Sequence, residues 1–266
     1  MIRACSLMFL FARVSVQNFA AYRFDFAVRF FVSLVHLFAE LIAIWTIFSN
    51  TQTLRGWEWQ HMLVLVGVFR IIAGGIRISI VPNMHRLLTD IREGTLDFVL
   101  LQPVNAQFLV SIREFVFWRI ADVILGATAV VWGCVSIQSR VGPGQVLVFI
   151  AMLAAGFVIV YSIWLMLATL CFWFVRIQNI EMVFWNVFEA GRFPIVIYRP
   201  WIRWTLTFVL PLAFITTFPA GSLFGDPSIG VPPGAPLYAG LIAVVSLLAA
   251  SRFWRYGLRH YSGASA

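Results

Sequence analysis

The sequence predicts an all-α, polytopic membrane protein of one domain spanning residues 1–266, with six transmembrane helices and an N-terminal interfacial helix over 1–26. Three observations carry that prediction. The chain is 61% hydrophobic and only 11% charged, with mean hydropathy +0.91, whereas soluble domains usually carry about 25% charged residues. A span needs roughly 20 apolar residues, so a chain of this length with short connections holds about six. The nineteen basic residues are all arginine and gather in alternate connections, the asymmetry expected of cytoplasmic loops.

Residues 5–25 interrupt apolar clusters with Arg13, Gln17, Asn18, Arg23 and Asp25, a pattern suited to a helix lying in the membrane surface beside lipid phosphates. The same interruptions, and the lack of a small-residue cleavage site, argue against a removed signal peptide. The first span is expected over Val28–Phe48 and the second over Met62–Val81, with Trp57 and Trp59 of the connection at the interface. Pro82 then ends the second span and opens a polar island, PNMHRLLTDIREGTLDFVLLQP, reaching Pro103. Asn83 is suited to capping a short helix over Met84–Ile91, with Arg86 and Asp90 paired at i, i+4 on its surface. Gly94 ends that helix, and Thr95 or Asp97 caps the next turn.

The third span is expected over Phe108–Ile137 and the fourth over Val146–Val175, long enough to tilt or project. Arg176–Arg203 mixes charges, aromatics and prolines and reads as an interfacial connection. Trp204–Phe218 is a short fifth span broken at Pro211, and the Gly and Pro density of 219–236 forbids a regular helix there. Leu237–Phe253 forms the last span, before an arginine-rich tail. With the N-terminus inside, Arg3, Arg13, Arg23, Arg86, Arg92, Arg176, Arg192, Arg199, Arg203, Arg252, Arg255 and Arg259 fall on the cytoplasmic side, and only Arg55 and Arg140 outside. Both termini and the island are therefore cytoplasmic in this reading. The basic balance has this membrane origin, and nucleic acid is not an expected partner.

Charges within spans are costly and mark function or helix clamping. Glu40 lies ten residues before Asn50 and Arg70 ten after Gln60, so antiparallel helices hold them at a common depth, roughly 15 Å below the loop. Arg77 shares a face with Arg70, and Glu114, Arg119 and Asp122 open the third span. Two readings stay open for this cluster of Glu40, Arg70, Arg77, Glu114, Arg119 and Asp122: a clamp between helices, or the wall of a substrate or proton path. Of the histidines, His36 and His61 read as packing or interfacial groups, His85 and His260 as solvated ones.

Catalytic signatures are missing. With no lysine there is no GxxxxGK[ST] phosphate loop, and neither HExxH nor GxSxG occurs. Cys5, Cys134 and Cys171 lack metal-ligand spacing, so no metal and no cofactor is expected on this chain. Whatever drives it is an ion gradient or a separate subunit.

Three separated segments, REGTLDFVLLQPVNAQF, AGRFPIVIYRPWIRWTLTFVLPLAFITTFPAG and LRHYSGASA, resemble the membrane subunits of bacterial ATP-binding-cassette exporters of the type-2 permease class, in the branch carrying R-x-G-x-L-D and a later proline. The resemblance covers nearly the whole chain. It implies a non-enzymatic permease subunit in the bacterial plasma (inner) membrane. Its partners would be a separate ATPase subunit that holds ATP and Mg, a second permease of the same or a related chain, and membrane lipids. It implies that the 82–103 region is a coupling helix docking on that ATPase, with Arg92, Gly94, Leu96, Asp97 and Pro103 at the motif positions; the island's Arg86, Asp90 and Glu93 join them as candidate docking residues. It also implies that 219–236 is an outer re-entrant segment between spans five and six. Amphipathic, lipidic or drug-like cargo is the substrate class of such permeases. The family's acidic-Ala-Arg-Tyr-Pro text reads Glu189-Ala190-Gly191-Arg192-Phe193-Pro194 here. The alternative is a self-contained ion-coupled carrier or channel built on the charge cluster.

Overall fold

The computed structural model describes residues 23–137, 141–173, 180–225 and 229–261. Among these the secondary structure is helical, apart from a single antiparallel bridge between Leu54 and Trp57. Five helical stretches are long and apolar enough to cross a membrane, and a sixth crossing is counted if the bent pair Pro200–Val209 and Ala213–Ser222 is taken as one span. The expected interfacial helix lies outside the described residues except for its last four, which begin helix α1 (Arg23–Phe48).

After α1 a tight connection ends at Trp57, whose indole N–H donates to the Ile229 carbonyl at 3.2 Å. Trp57 is wholly buried, not interfacial as its position in the loop suggests, because Ala220, Leu223 and Ile229 pack with it; Trp59 stays exposed. Helix α2 (Trp59–Gly75) starts with Glu58 and His61 in a reciprocal cap, the Glu58 N–H donating to His61 Nδ1 at 3.1 Å.

Pro82 does not end the helix. The run from Trp59 to Glu93 is continuous, passing through one π-helical turn (Ile76–Ile80) into α3 (Val81–Glu93). Proline supplies no N–H for the carbonyl four residues back, here Ile78, and that carbonyl instead accepts from the Val116 N–H at 2.9 Å. The wider turn before the proline absorbs the ring, since the Val81 N–H reaches back five residues to Ile76. Gly94, at φ 72°, ends α3 in the left-handed conformation that favours glycine.

Short α4 (Leu96–Leu100) and α5 (Ala106–Ser111) follow. The third span is also shorter than expected: an irregular stretch and a 3₁₀ turn at Phe117–Arg119 precede α6 (Ile120–Ser136). Helix α7 runs from Pro143 to Thr169, its start braced by the Gly142 N–H donating to Gln145 Oε1 at 2.8 Å. Helix α8 (Ile180–Phe188) precedes the bent pair, which comprises α9 (Pro200–Trp204), π-helical turns on both sides of Pro211 and α10 (Phe218–Ser222), with a 76° bend. Helix α11 (Ala235–His260) closes the fold.

Close backbone approach organises the packing. A methyl group on Gly67 would lie 2.6 Å from the Gly126 carbonyl oxygen, and one on Gly126 would lie 2.7 Å from that of Gly67. Gly74 meets Val123 and Gly133 meets Val64 in the same way, so α2 and α6 touch along a stripe of small residues. Helix α11 lays Ala235, Ala239, Ala243 and Ala250, all buried, along the protein interior. The inner arm Ala213–Ser222 is buried almost throughout, and Gly156 of α7 approaches Ile215 on it. By contrast α1 leaves Phe31, Phe38, Ile42 and Trp45 exposed.

Contacts define two ends. Arg29 of α1 lies over Trp118, and Trp254 and Tyr261 near the end of α11 meet Phe172 at the end of α7. These lie at the end that holds α3. The start of α2 and Ile229 lie together at the other, so the chain changes ends between Glu181 and Ile229.

Because the obstructing atoms at Gly126 are backbone, Gly126→Ala should destabilise by about 1–3 kcal/mol, read as a lowered unfolding midpoint of purified protein in detergent. Gly144→Ala, with open space around it, should leave the midpoint unchanged or slightly raised.

Candidate functional site

Two groups of polar residues stand out from the apolar body: the α3–α4 projection and a charged cavity among α1, α2 and α6. In the projection, Asn83 sits inside the helix and does not cap one. Its side-chain N–H groups donate to the Ser79 carbonyl at 2.6 Å and the Glu114 carbonyl at 2.7 Å, while its Oδ1 accepts from the Glu114 N–H at 2.9 Å. One amide side chain thus pairs with both backbone groups of Glu114, beside the Val116 bond to Ile78.

Asp90 is the second fastening. The sequence places it on the helix surface, but only 2% of it is exposed. Its carboxylate accepts from Arg113 Nη1 and from the Thr95 hydroxyl at 3.0 Å, and Arg86 Nε lies 3.3 Å away. Thr95 therefore serves Asp90 and makes no cap bond of its own. Burying a carboxylate is tolerable only with such partners. Sequence pattern offered Arg86 through its i, i+4 spacing; Arg113, twenty-three residues on, carries no local signal.

These fastenings sort the projection into inward and outward residues. Met84, Leu87, Leu96 and Val99 are buried. Burial, and the charge of the nearby Asp97 carboxylate, push the Tyr261 phenol above its ordinary range. Arg86, Arg92, Glu93, Gln102 and Pro103 are exposed, and between them Phe98 and Leu101 stand 70% and 81% exposed. His85 is not simply solvated, since its Nε2 lies 2.7 Å from Glu181 Oε2.

The cavity, of about 340 Å³, is lined by Ser33, His36, Glu40, Arg70, Arg77, Arg119, Asp122 and Arg192 together with Val32, Phe69 and Ala73. Arg70 Nε donates to Glu40 Oε2 at 2.7 Å, its Nη1 lies 3.8 Å from Asp122, and Arg119 lies 3.5 Å from the other Asp122 oxygen. Arg77 rests over the Trp185 ring at 4.5 Å. Of the six residues grouped from sequence, five line this space. Glu114 does not: it precedes the shortened third span and lies 3.9 Å from Arg86.

Arg192, which sequence counting assigned to a cytoplasmic connection, enters the cavity instead. It bridges Glu40 at 3.5 Å and Glu189 at 2.6 Å. The tight turn Glu189–Arg192 reaches that position because Gly191 lies against Thr216, Tyr198 donates to the Ala190 carbonyl at 2.9 Å, and the Ile195 N–H donates to Thr217. Its i, i+3 spacing from Glu189 was the only trace in the sequence.

Among the described residues no three His, Cys, Asp or Glu side chains converge as metal ligands. The model of the ABC-2 family transporter proteins matches residues 34–265. No curated protein and no solved structure matches the chain.

Arg113→Ala should cost about 2 kcal/mol, since Asp90 loses a charged hydrogen-bond partner while keeping Arg86 and Thr95. Arg92→Ala, on the exposed side, should stay within about 0.5 kcal/mol. Thermal midpoints of the purified variants measure both.

Proposed function

The chain belongs to the ABC-2 family of transporter proteins, and from that premise we propose that it is the permease subunit of an ATP-driven exporter in a bacterial plasma membrane, moving an amphipathic substrate. Membership gives a transport role in a multi-pass membrane protein and implies an ATPase partner. The proposal adds that ATP and Mg²⁺ bind only that separate subunit, that two permeases, alike or related, form the path, and that both termini are cytoplasmic. Six crossings, counting the bent pair as one, support the last point, as does the meeting of Arg29 near the start of α1 and of Tyr261 after α11 with the α3 end of the fold.

The observation that carries the coupling reading is the exposed pair Phe98 and Leu101 on a projection that is otherwise fastened inward. Single exposed apolar residues are ordinary; two beside Arg92, Glu93 and Pro103 at the tip of a rigid extension suit an apolar anchor with a polar rim. Helix α3 continues α2 without a break, so a push on α4 passes into the bundle through the single run Trp59–Glu93. Asp97, half-buried on α4, belongs to the same docking region in this reading. The ion-coupled alternative is disfavoured by the cavity's own pairing: Glu40 and Asp122 both lie against guanidiniums, whereas a relay uses a titratable group free to exchange its proton.

A tagged chain purified from its native membranes should bring down an ATPase subunit, and Phe98→Arg with Leu101→Arg should lower capture at least tenfold at an unchanged unfolding midpoint. Vesicle transport driven by a proton gradient without ATP would overturn the reading.

A further inference from the structure

The cavity among α1, α2 and α6 holds four guanidiniums, Arg70, Arg77, Arg119 and Arg192, against two carboxylates, Glu40 and Asp122. The pairing is uneven. Arg70 is committed to Glu40, Arg192 is shared between Glu40 and Glu189, and Asp122 is divided between Arg119 and Arg70. Among the described residues Arg77 has no carboxylate within ion-pair distance, only the Trp185 ring face. Arg77 and Arg119 are also close enough for their like charges to act on one another. Positive charge concentrated in a space walled by apolar helices is costly unless an anion shares it. Guanidinium groups suit oxyanions in particular, because their fixed donors match two oxygens at once.

We propose that this cavity binds the phosphate head of a membrane amphiphile, with Arg77 and Arg119 as its principal donors. The wall formed by α1 argues for an amphiphile over a free solute. Val32, Ser33, His36 and Glu40 line the cavity from one side of that helix, Val32 being itself exposed, and Phe31 and Val35 beyond it are exposed too, so a chain leaving the cavity runs directly along apolar surface. Ser33 and His36 add polar groups at the rim. This names the substrate class of the permease reading and rests on it for its meaning as cargo, but binding itself needs no ATPase.

The test is calorimetric titration of the full purified chain, in a neutral glycoside detergent, with dodecyl phosphate, dodecylphosphocholine and inorganic phosphate. Dodecyl phosphate should bind at least tenfold tighter than either of the others. Arg77→Gln should weaken it at least tenfold and Arg77→Lys less so. Arg252→Gln, on the exposed side of α11, should leave it unchanged. Arg77→Gln strands no carboxylate and is expected to fold; Arg119→Gln provides the second variant, with the same expected loss. Equal binding of the zwitterion, unaltered binding in both variants, or an equal loss in Arg252→Gln would overturn the proposal. Inorganic phosphate binding as tightly as dodecyl phosphate would overturn its amphiphile part. If the ATPase is not captured yet dodecyl phosphate binds as expected, the permease reading alone fails.

Discussion

Proline inside a membrane helix leaves a carbonyl without a donor, and in an apolar surrounding that carbonyl must find another. At Pro82 the donor is the Val116 N–H, with the Asn83 amide satisfying both backbone groups of Glu114 alongside. Much of the molecule follows from this arrangement. The stretch before α6 is tied to Ile78 and Asn83, and α6 starts only after it. The helix keeps going beyond the proline, so the projection is an extension of a span and not a hinged loop. Asp90 and Arg113 repeat the fastening further out, and the exposed tip of α4 is presented on a braced support.

The same economy of partners governs the charges. Where a carboxylate is buried, at Asp90, Glu40 or Asp122, guanidiniums surround it. In the projection the count is balanced and the result is structural. In the cavity it is not, since Arg192 arrives from a distant turn and Arg77 brings charge without a counter-ion among the described residues. That difference separates a clamp from a place to bind an anion, and it explains why one cluster serves both ideas. Arg70 and Glu40 hold helices together, while Arg77, over Trp185, and Arg119, beside Asp122 and over Trp118, line the cavity.

Much of the fold was legible. Long apolar runs marked where α1, α2, α7 and α11 lie, each starting within five residues of its expected start, because a helix crossing lipid must be apolar over a length set by the bilayer; the ends of α2, α7 and α11 differ by six or seven residues. Gly94 was legible as the end of α3 and Pro211 as a break, since both act through local backbone conformation. Pro82 misled, because a proline stops a helix only when no other group takes the carbonyl it leaves open. Trp57 misled for a related reason: a loop tryptophan is interfacial unless another segment, here around Ile229, covers it. Residues 1–22 and 262–266, which carry part of the sequence reading, lie outside the described residues.

For the candidate sites the division is sharper. Equal spacing from a short loop was enough to bring Glu40 and Arg70 to one depth, and heptad spacing put Arg77 on their face. Arg113 with Asp90, and Arg192 with Glu40, depend on contacts between segments far apart in the chain. By itself the sequence determined an all-helical membrane protein, its apolar spans and which polar residues had to be explained, because hydropathy and helical period are local properties. Only the tertiary structure decided which of those residues are partners to each other and which remain open to a ligand, because charge neutralisation in an apolar interior depends on separations of a few ångströms that chain order does not encode.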